Sequence, residues 1–338
     1  MSEADERKIK LLRENEINNQ MIATKSNSDI RYNNLYFLGD SLSDSGAFIG
    51  VAREFNIFNI FKSQEFEAPL YKDFCSNGPT YSQILANKLG IKLVPAWRFK
   101  FLKQIYEKIG NNYAVAGAQI TKLPFWKLKS IFCNNFSLPK QAKALLKHHQ
   151  LTENDLVIIN IGGNELINAV NISDINESKA TINNAINIQK ATIINLINNN
   201  ARKIIVANAP DISKTPSFLN SYNMDKAKNL SEYFNSVWLE GMKQLQTKYP
   251  QIIKLFDLNV VFNKNLDEFQ KKGGITNKGS TDVNYSCILF GLNVKPEFNE
   301  DCDFYNINDY FFFDFIHPTS WVHEQLGDII YDLSQSKW

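Results

Sequence analysis

The chain has 338 residues, 44% of them hydrophobic, and its 37 Lys and Arg against 35 Asp and Glu leave a formal net charge of +2. That length holds one large α/β domain or two small ones, with ample core either way. The weak charge, with no long Lys/Arg block, excludes a nucleic-acid footprint. No apolar run reaches the roughly 20 residues that cross a bilayer as a helix, so no transmembrane segment is expected.

Residues 1–32 read as a polar N-terminal extension, with a short solvated helix over about 3–14 and a loop at Asn27-Ser28. Such a segment is a mobile terminus or a partner-binding or trafficking element. It lacks the apolar core of a secretory signal peptide. The expected location is therefore the cytoplasm, or export without a cleavable signal, or secretion if the chain is trimmed at its start. Residues 33–338 are expected to form one domain.

Leu35-Tyr36-Phe37-Leu38 is a short apolar run ending in Gly39, the pattern of a buried strand entering a turn. Further strands are expected over 113–115, 156–161, 203–207 and 252–258. Helical patterns fall between them over 80–89, 139–149, 179–199 and 226–248. In the third, Ile182, Ile186, Ile193 and Ile197 share one face. A last helix is expected over 320–333, after Pro318, with Ser320 able to cap it. This alternation implies an α/β domain with a mostly parallel sheet and right-handed crossovers.

Two stretches fit the pattern poorly. Residues 47–74 are rich in Phe and Ile, and 263–312 carries few regular signals before the run Tyr310-Phe311-Phe312-Phe313. A loop that long is usually functional or disordered. Its aromatics suit either ordinary core or an apolar wall or lid over a pocket, and the residue pattern leaves both open.

The chemistry-bearing residues lie at opposite ends of the chain. Gly39-Asp40-Ser41-Leu42-Ser43-Asp44 follows the first strand, so Ser41 sits where a strand's carboxyl end opens into a loop. A serine hydroxyl is a weak nucleophile at neutral pH and needs a base, and the base needs an orienting group. Asp314-Phe315-Ile316-His317-Pro318 supplies an imidazole and a carboxylate. Ser41, His317 and Asp314 thus form a candidate nucleophile–base–acid set. A turn serine that merely caps a helix is a role better suited to Ser43 or Ser45. Asp303 and Asp309 compete with Asp314. His148, His149 and His323 lie in helical contexts, the first two at a helix end where a solvated role is expected.

Four cysteines are too few for a disulfide framework. Cys75 and Cys133 read as thiols, whereas Cys287 and Cys302 flank one irregular loop and would close it in an oxidising compartment. No His/Cys spacing suggests a metal site.

Several blocks, in order from about Asn34 to about Tyr331, resemble the GDSL (SGNH) family of lipases and esterases. Within it they are similar to the bacterial phospholipase A, lysophospholipase and glycerophospholipid:cholesterol acyltransferase branch. The blocks are Phe37 to Gly46, Ser76-Asn77-Gly78-Pro79-Thr80-Tyr81, Asn112 to Ala118, Ile161-Gly162-Gly163-Asn164-Glu165, Asn208-Ala209-Pro210-Asp211 and Phe313 to Thr319.

The resemblance implies a three-layer α/β/α sandwich, the flavodoxin-like SGNH hydrolase fold. It also implies an acyl-serine mechanism with an oxyanion hole from the backbone N–H groups of Ser41 and Gly117 and the side-chain amide of Asn164. Lack of a Cβ at Gly117 suits close approach to a substrate, although Asn164 could instead cap the segment after it. Position 165 is Glu where the family usually has Asp, which puts the hydrogen bonding around Asn164 in doubt. No metal or organic cofactor is implied. The expected substrate is an acyl ester of a phospholipid or lysophospholipid, met at a membrane surface, with acyl transfer to an alcohol such as a sterol as a second outcome. A small-molecule or carbohydrate acetylesterase on the same scaffold, or a non-catalytic binding protein, are the alternatives.

Overall fold

The computed structural model describes residues 30–47, 75–100, 103–106, 110–122, 134–281, 298–303 and 305–338. The helix expected over 3–14, most of the Phe- and Ile-rich stretch, Cys133 and Cys287 lie outside the described residues. In chain order the elements are β1 (Leu35–Gly39), α1 (Tyr81–Lys88), β2 (Trp97–Lys100), β3 (Lys103–Tyr106), α2 (Leu138–His148), β4 (Leu156–Asn160), α3 (Gly163–Val170) and α4 (Ile175–Asn198). They continue with β5 (Lys203–Ala207), α5 (Met224–Lys248), β6 (Ile253–Phe256), α6 (Leu258–Lys271), β7 (Ile275–Gly279), β8 (Tyr310–Phe312) and α7 (Ser320–Gln335).

The main sheet is parallel, in the order β1-β4-β5-β6, with Phe37 opposite Ile158 and Ile158 opposite Ile205. Residues 111–115 lie on the other side of β1, where Tyr113 N–H donates to Phe37 C=O (2.8 Å) and Phe37 N–H to Asn111 C=O (3.0 Å). Counted as the second strand, this segment makes the spatial order 2-1-3-4-5, a doubly wound sheet whose direction of winding reverses between β1 and β4. In such sheets the crevice at the carboxyl ends of the strands, at that switch point, is where ligands bind.

Side chains alternate between the faces of the strands, and each face is covered. Tyr36, Leu38, Val157, Ile159, Ile204 and Val206 pack with α2, α3, α4 and α5, including Ile182, Ile186, Ile193 and Ile197 of α4. Leu35, Phe37, Leu156, Ile158 and Ile205 pack with Leu85 of α1, Phe262 of α6 and Val322 of α7. The three-layer α/β/α arrangement follows, because strands buried on both faces carry continuous apolar runs.

Several expectations are corrected. The strand expected over 252–258 ends at Phe256, because the Asp257 carboxylate accepts Val260 N–H (3.0 Å) and caps α6. That helix and β7 occupy the first part of the stretch expected to be irregular. Its signal was legible: Leu258, Phe262, Leu266 and Phe269 recur at helical spacing and are buried. Tyr310, Phe311, Phe312 and Phe313 are fully buried, which makes them ordinary core. Ser320 does not cap α7; its own N–H is accepted by Asn77 Oδ1 at 2.8 Å. Cys302 is a buried free thiol that donates to Asp303 C=O (3.7 Å), with burial pushing its pKa up to about 11. His149 is not solvated, since Nε2–H donates to Gly110 C=O (2.9 Å) and the ring packs on Tyr36.

Candidate active site

β1 delivers the chain to Gly39, and a tight turn follows. Asp40 C=O accepts the N–H groups of Ser43 (3.1 Å) and Asp44 (3.0 Å), while Asp40 Oδ1 accepts Leu42 N–H (3.2 Å). Ser41 is therefore held in a closed turn at the carboxyl end of β1, half-buried. The buried Gln141 amide of α2 steadies the base of this turn: its Oε1 accepts Gly39 N–H (2.7 Å) and its Nε2 donates to Gly39 C=O (2.8 Å).

Ser41 and His317 are separated by 276 residues, yet Ser41 Oγ lies 2.7 Å from His317 Nε2. His317 Nδ1 lies 2.7 Å from Asp314 Oδ2. The other carboxylate oxygen, Oδ1, accepts the backbone N–H of Ile316 (2.7 Å) and of His317 (2.6 Å), which closes the loop and aims the carboxylate. With Nδ1–H donating to Asp314, Nε2 presents its lone pair to the serine hydroxyl. Asp303 is exposed and its Oδ1 accepts the N–H groups of Tyr305 and Asn306; Asp309 is also exposed. Neither is at the imidazole.

Burial by itself would lower the pKa of His317. The Asp314 charge and hydrogen bond, joined by the charge of Asp40, outweigh it and raise the pKa above 6.5. Asp40 is buried, and desolvation pushes its carboxyl up to about 6, against Leu42 N–H and the His317 charge, which pull it down. His323 is buried and its pKa is pushed down to about 3, by burial first and then by His317.

Gly117 follows the 111–115 segment with φ +79°, a left-handed conformation that L side chains rarely adopt. Asn164 lies in the first turn of α3, after β4. Ser41, Gly117 and Asn164 thus stand at the carboxyl ends of three neighbouring chains of the sheet, and all three are only half-buried. Asn164 does not cap α3: its Nδ2 donates to Ala118 C=O (2.9 Å) and ties the helix to the Gly117 loop.

Two buried acidic side chains grip that loop from either end. Asp44 Oδ2 accepts Ala116 N–H (2.8 Å), while its Oδ1 accepts Gly46 and Ala47 N–H at 2.9 and 2.7 Å. Glu165 Oε1 accepts the N–H of Ile120 and that of Thr121, the latter at 3.1 Å. Glu at position 165 therefore reaches the loop backbone directly. Burial raises its pKa to about 8, with the two N–H groups acting in the opposite sense.

Sequence reasoning missed Gln141, Asn112 and Asn77 as site residues. Asn112 Nδ2 donates to Ser43 C=O (2.7 Å) and Ser45 Oγ (2.9 Å). For Gln141 and Asn112 the available signal was a polar residue among apolar neighbours that are buried; Asn77 offered none. Among the described residues no group of three or more His, Cys, Asp and Glu side chains could hold a metal ion, and no helix is long and apolar enough to cross a membrane.

A doubly wound α/β sheet carrying a hydrogen-bonded serine–histidine–aspartate set at its switch point defines the class. The chain belongs to the GDSL-like lipase/acylhydrolase family, whose model matches residues 35–330. This is a family of carboxylic ester hydrolases and acyltransferases. A phosphatidylcholine-sterol acyltransferase of Aeromonas hydrophila is 26% identical over 267 residues, covering 78% of this chain and 68% of that protein. Esterase EstA of Pseudomonas aeruginosa is 28% identical over 330 positions, covering 91% of this chain. The chain spans only 47% of the length of that esterase. Among solved structures, the acetylxylan esterase Axe2 of Geobacillus stearothermophilus aligns at a TM-score of 0.43 with 12% identity, covering 91% of this chain and 97% of that one.

Proposed function

We propose that residues 33–338 form a serine esterase domain, preceded by an extension over 1–32, that cleaves acyl esters of phospholipids or lysophospholipids through an acyl-serine intermediate. The observation that carries this reading is the unbroken chain Ser41 Oγ–His317 Nε2 and His317 Nδ1–Asp314 Oδ2, each link 2.7 Å. Ser41 Oγ attacks the ester carbonyl as His317 Nε2 takes its proton. Asp314 holds the imidazole in the required tautomer and stabilises the imidazolium. The carbonyl oxygen becomes an oxyanion, which accepts hydrogen bonds from the N–H groups of Ser41 and Gly117 and from the second N–H of the Asn164 amide. Collapse expels the alkoxide, which takes the proton from His317. Water, activated by the same imidazole, then releases the acid and restores Ser41. If a sterol or another alcohol reaches the acyl-enzyme before water, the product is a new ester.

The lipid substrate rests on the branch resemblance of the sequence blocks and on the similarity to a phosphatidylcholine-sterol acyltransferase. Phe315, which lies between Asp314 and Ile316 and leaves 46% of its surface exposed, gives the rim an apolar side chain suited to an acyl chain or a membrane face.

Fatty-acid release from vesicles of phosphatidylcholine and of lysophosphatidylcholine, beside p-nitrophenyl acetate, butyrate and palmitate, tests the reading with wild type and Ser41→Ala. Ser41-dependent release of long-chain acid is expected. Acetate selectivity without lipid turnover would replace the lipid substrate by a small acetyl ester. Activity that survives in folded Ser41→Ala would remove the serine mechanism altogether.

A further inference from the structure

The block Ser76-Asn77-Gly78-Pro79-Thr80-Tyr81 carries no chemistry of its own, yet it joins the two ends of the site. The first N–H groups of a helix have no partner within it. At α7, Thr319 is in the capping position, but its hydroxyl donates to Tyr310 C=O (3.0 Å) and Phe311 C=O (3.2 Å) instead. The acceptor for the first N–H of α7 comes from across the molecule, where Asn77 Oδ1 takes Ser320 N–H at 2.8 Å. At α1, Thr80 likewise makes no side-chain cap, and Tyr81 N–H is accepted by His323 Nδ1, from α7, at 3.3 Å. The segment leading into α1 thus caps α7, and α7 caps α1.

Their contact is close at this point. A Cβ on Gly78 would stand 2.5 Å from Ser320 Cβ, which no pair of carbon atoms tolerates, so the glycine permits the approach that the Asn77 hydrogen bond needs. The Tyr81 ring lies over the His323 ring at an interplanar angle of 20°. The same helix α1 grips the nucleophile turn: Tyr81 Oη and Ser43 Oγ are 2.5 Å apart, and Ser82 Oγ donates to Ser43 C=O (3.0 Å). One short helix therefore touches the turn that carries Ser41 and the helix start that follows His317.

We infer that Asn77 and His323 are positioning residues, a reciprocal capping bracket that sets His317 against Ser41. The inference rests on the serine mechanism proposed above. Ser41 and His317 belong to distant parts of the chain, and nothing in local backbone geometry relates them. A displacement of about 1 Å between reacting groups costs on the order of 100-fold in rate, so a bracket that bridges Ser43 and Ser320 acts on turnover more than on substrate affinity. His323 suits its part because an imidazole buried and neutral keeps the Nδ1 lone pair available to Tyr81 N–H.

The test compares wild type, Ser41→Ala, Asn77→Ala, Asn77→Asp and His323→Phe. Three quantities are measured: Tm, kcat and KM on p-nitrophenyl butyrate, and the rate of labelling by an alkyl fluorophosphonate, all well below each Tm. Asn77→Ala is expected to lower kcat and the labelling rate about ten-fold or more, with KM within about two-fold. Asn77→Asp, which keeps an acceptor where a helix start favours negative charge, is expected to recover most of the loss. His323→Phe keeps a ring and deletes the Nδ1 acceptor together with the Nε2–H; it is expected to behave like Asn77→Ala, and decides the matter in its place if that variant does not fold. Folded Asn77→Ala or His323→Phe with wild-type kcat and labelling overturns the bracket, as does an Asn77→Asp no better than Asn77→Ala. Wild type that is not labelled at Ser41 removes the serine mechanism, and the bracket with it.

Discussion

Asp44 Oδ2 accepts the backbone N–H of Ala116 at 2.8 Å, so the turn that carries Ser41 also holds the residue before Gly117. The carboxylate satisfies three N–H groups at once, those of Gly46, Ala47 and Ala116. Asn in its place turns an NH₂ group toward at least one of these donors. A buried N–H left unpaired costs about 1–3 kcal/mol. Asp44→Asn is therefore expected to lower unfolding stability by that amount and to reduce kcat about ten-fold or more by loosening the Gly117 loop. Urea unfolding and steady-state kinetics check both halves, and a folded variant of undiminished kcat would detach this contact from the oxyanion hole.

Asn164 has one amide hydrogen committed to Ala118 C=O; the mechanism proposed above gives the other to the oxyanion. Removal of one oxyanion donor typically costs about 100- to 1,000-fold in kcat. Asn164→Ala is expected to fall in that range with little change in KM, because the contact strengthens only as charge develops on the carbonyl oxygen. A rise in KM at constant kcat would instead make Asn164 a ground-state binding residue.

In the proposed mechanism His317 must be neutral to accept the Ser41 proton, and its pKa is raised above 6.5 by Asp314 and, to a smaller extent, by Asp40. Activity is expected to rise with pH through that raised value. Asp40→Asn keeps an acceptor for Leu42 N–H and deletes one negative charge. The acidic limb of the kcat/KM profile should then move to lower pH. A limb that stays in place or moves upward would refute the assigned influence of Asp40.

Glu165 gives a pH signature in stability. Burial raises its pKa from 4.5 to about 8. Between those values the folded protein holds the proton and the unfolded chain does not, so stability falls as pH rises. The contribution is present in full below pH 4.5 and is lost as pH passes through about 8. Glu165→Gln, which keeps an acceptor for Ile120 and Thr121 N–H, should flatten this slope. Relative to wild type it is expected to gain at least about 1 kcal/mol between pH 5 and pH 9, a change worth roughly one pKa unit. Parallel stability curves in urea unfolding would contradict a buried, proton-holding Glu165.

Local pattern was enough for the strands of the main sheet and for α1, α2, α4, α5 and α7, because they are decided by short-range preferences, whereas β2, β3, β7 and β8 were not expected. Leu35-Tyr36-Phe37-Leu38, Leu156 to Ile159 and Ile204 to Val206 read as strands since a parallel strand buried on both faces needs an unbroken apolar run. α4 read as a helix because Ile182, Ile186, Ile193 and Ile197 can share only one helical face. α6 was overlooked although its apolar spacing was present, because Asp257 was not recognised as a cap that ends the strand before it. The candidate nucleophile, base and carboxylate could be named from two motifs, since Gly39 to Asp44 and Asp314 to Pro318 each specify a local turn.

The amino-acid sequence by itself determined those local elements and the residue types at the site. Only the tertiary structure decided which distant groups meet. Nothing in the neighbourhood of Asn77 announces that its amide will cap a helix 243 positions later, and nothing near Asp44 points to Ala116. Those pairings exist because winding of the sheet from β1 outward in both directions brings the carboxyl ends of three neighbouring chains to one crevice. Each buried N–H there must then find its acceptor in whatever part of the chain the packing supplies.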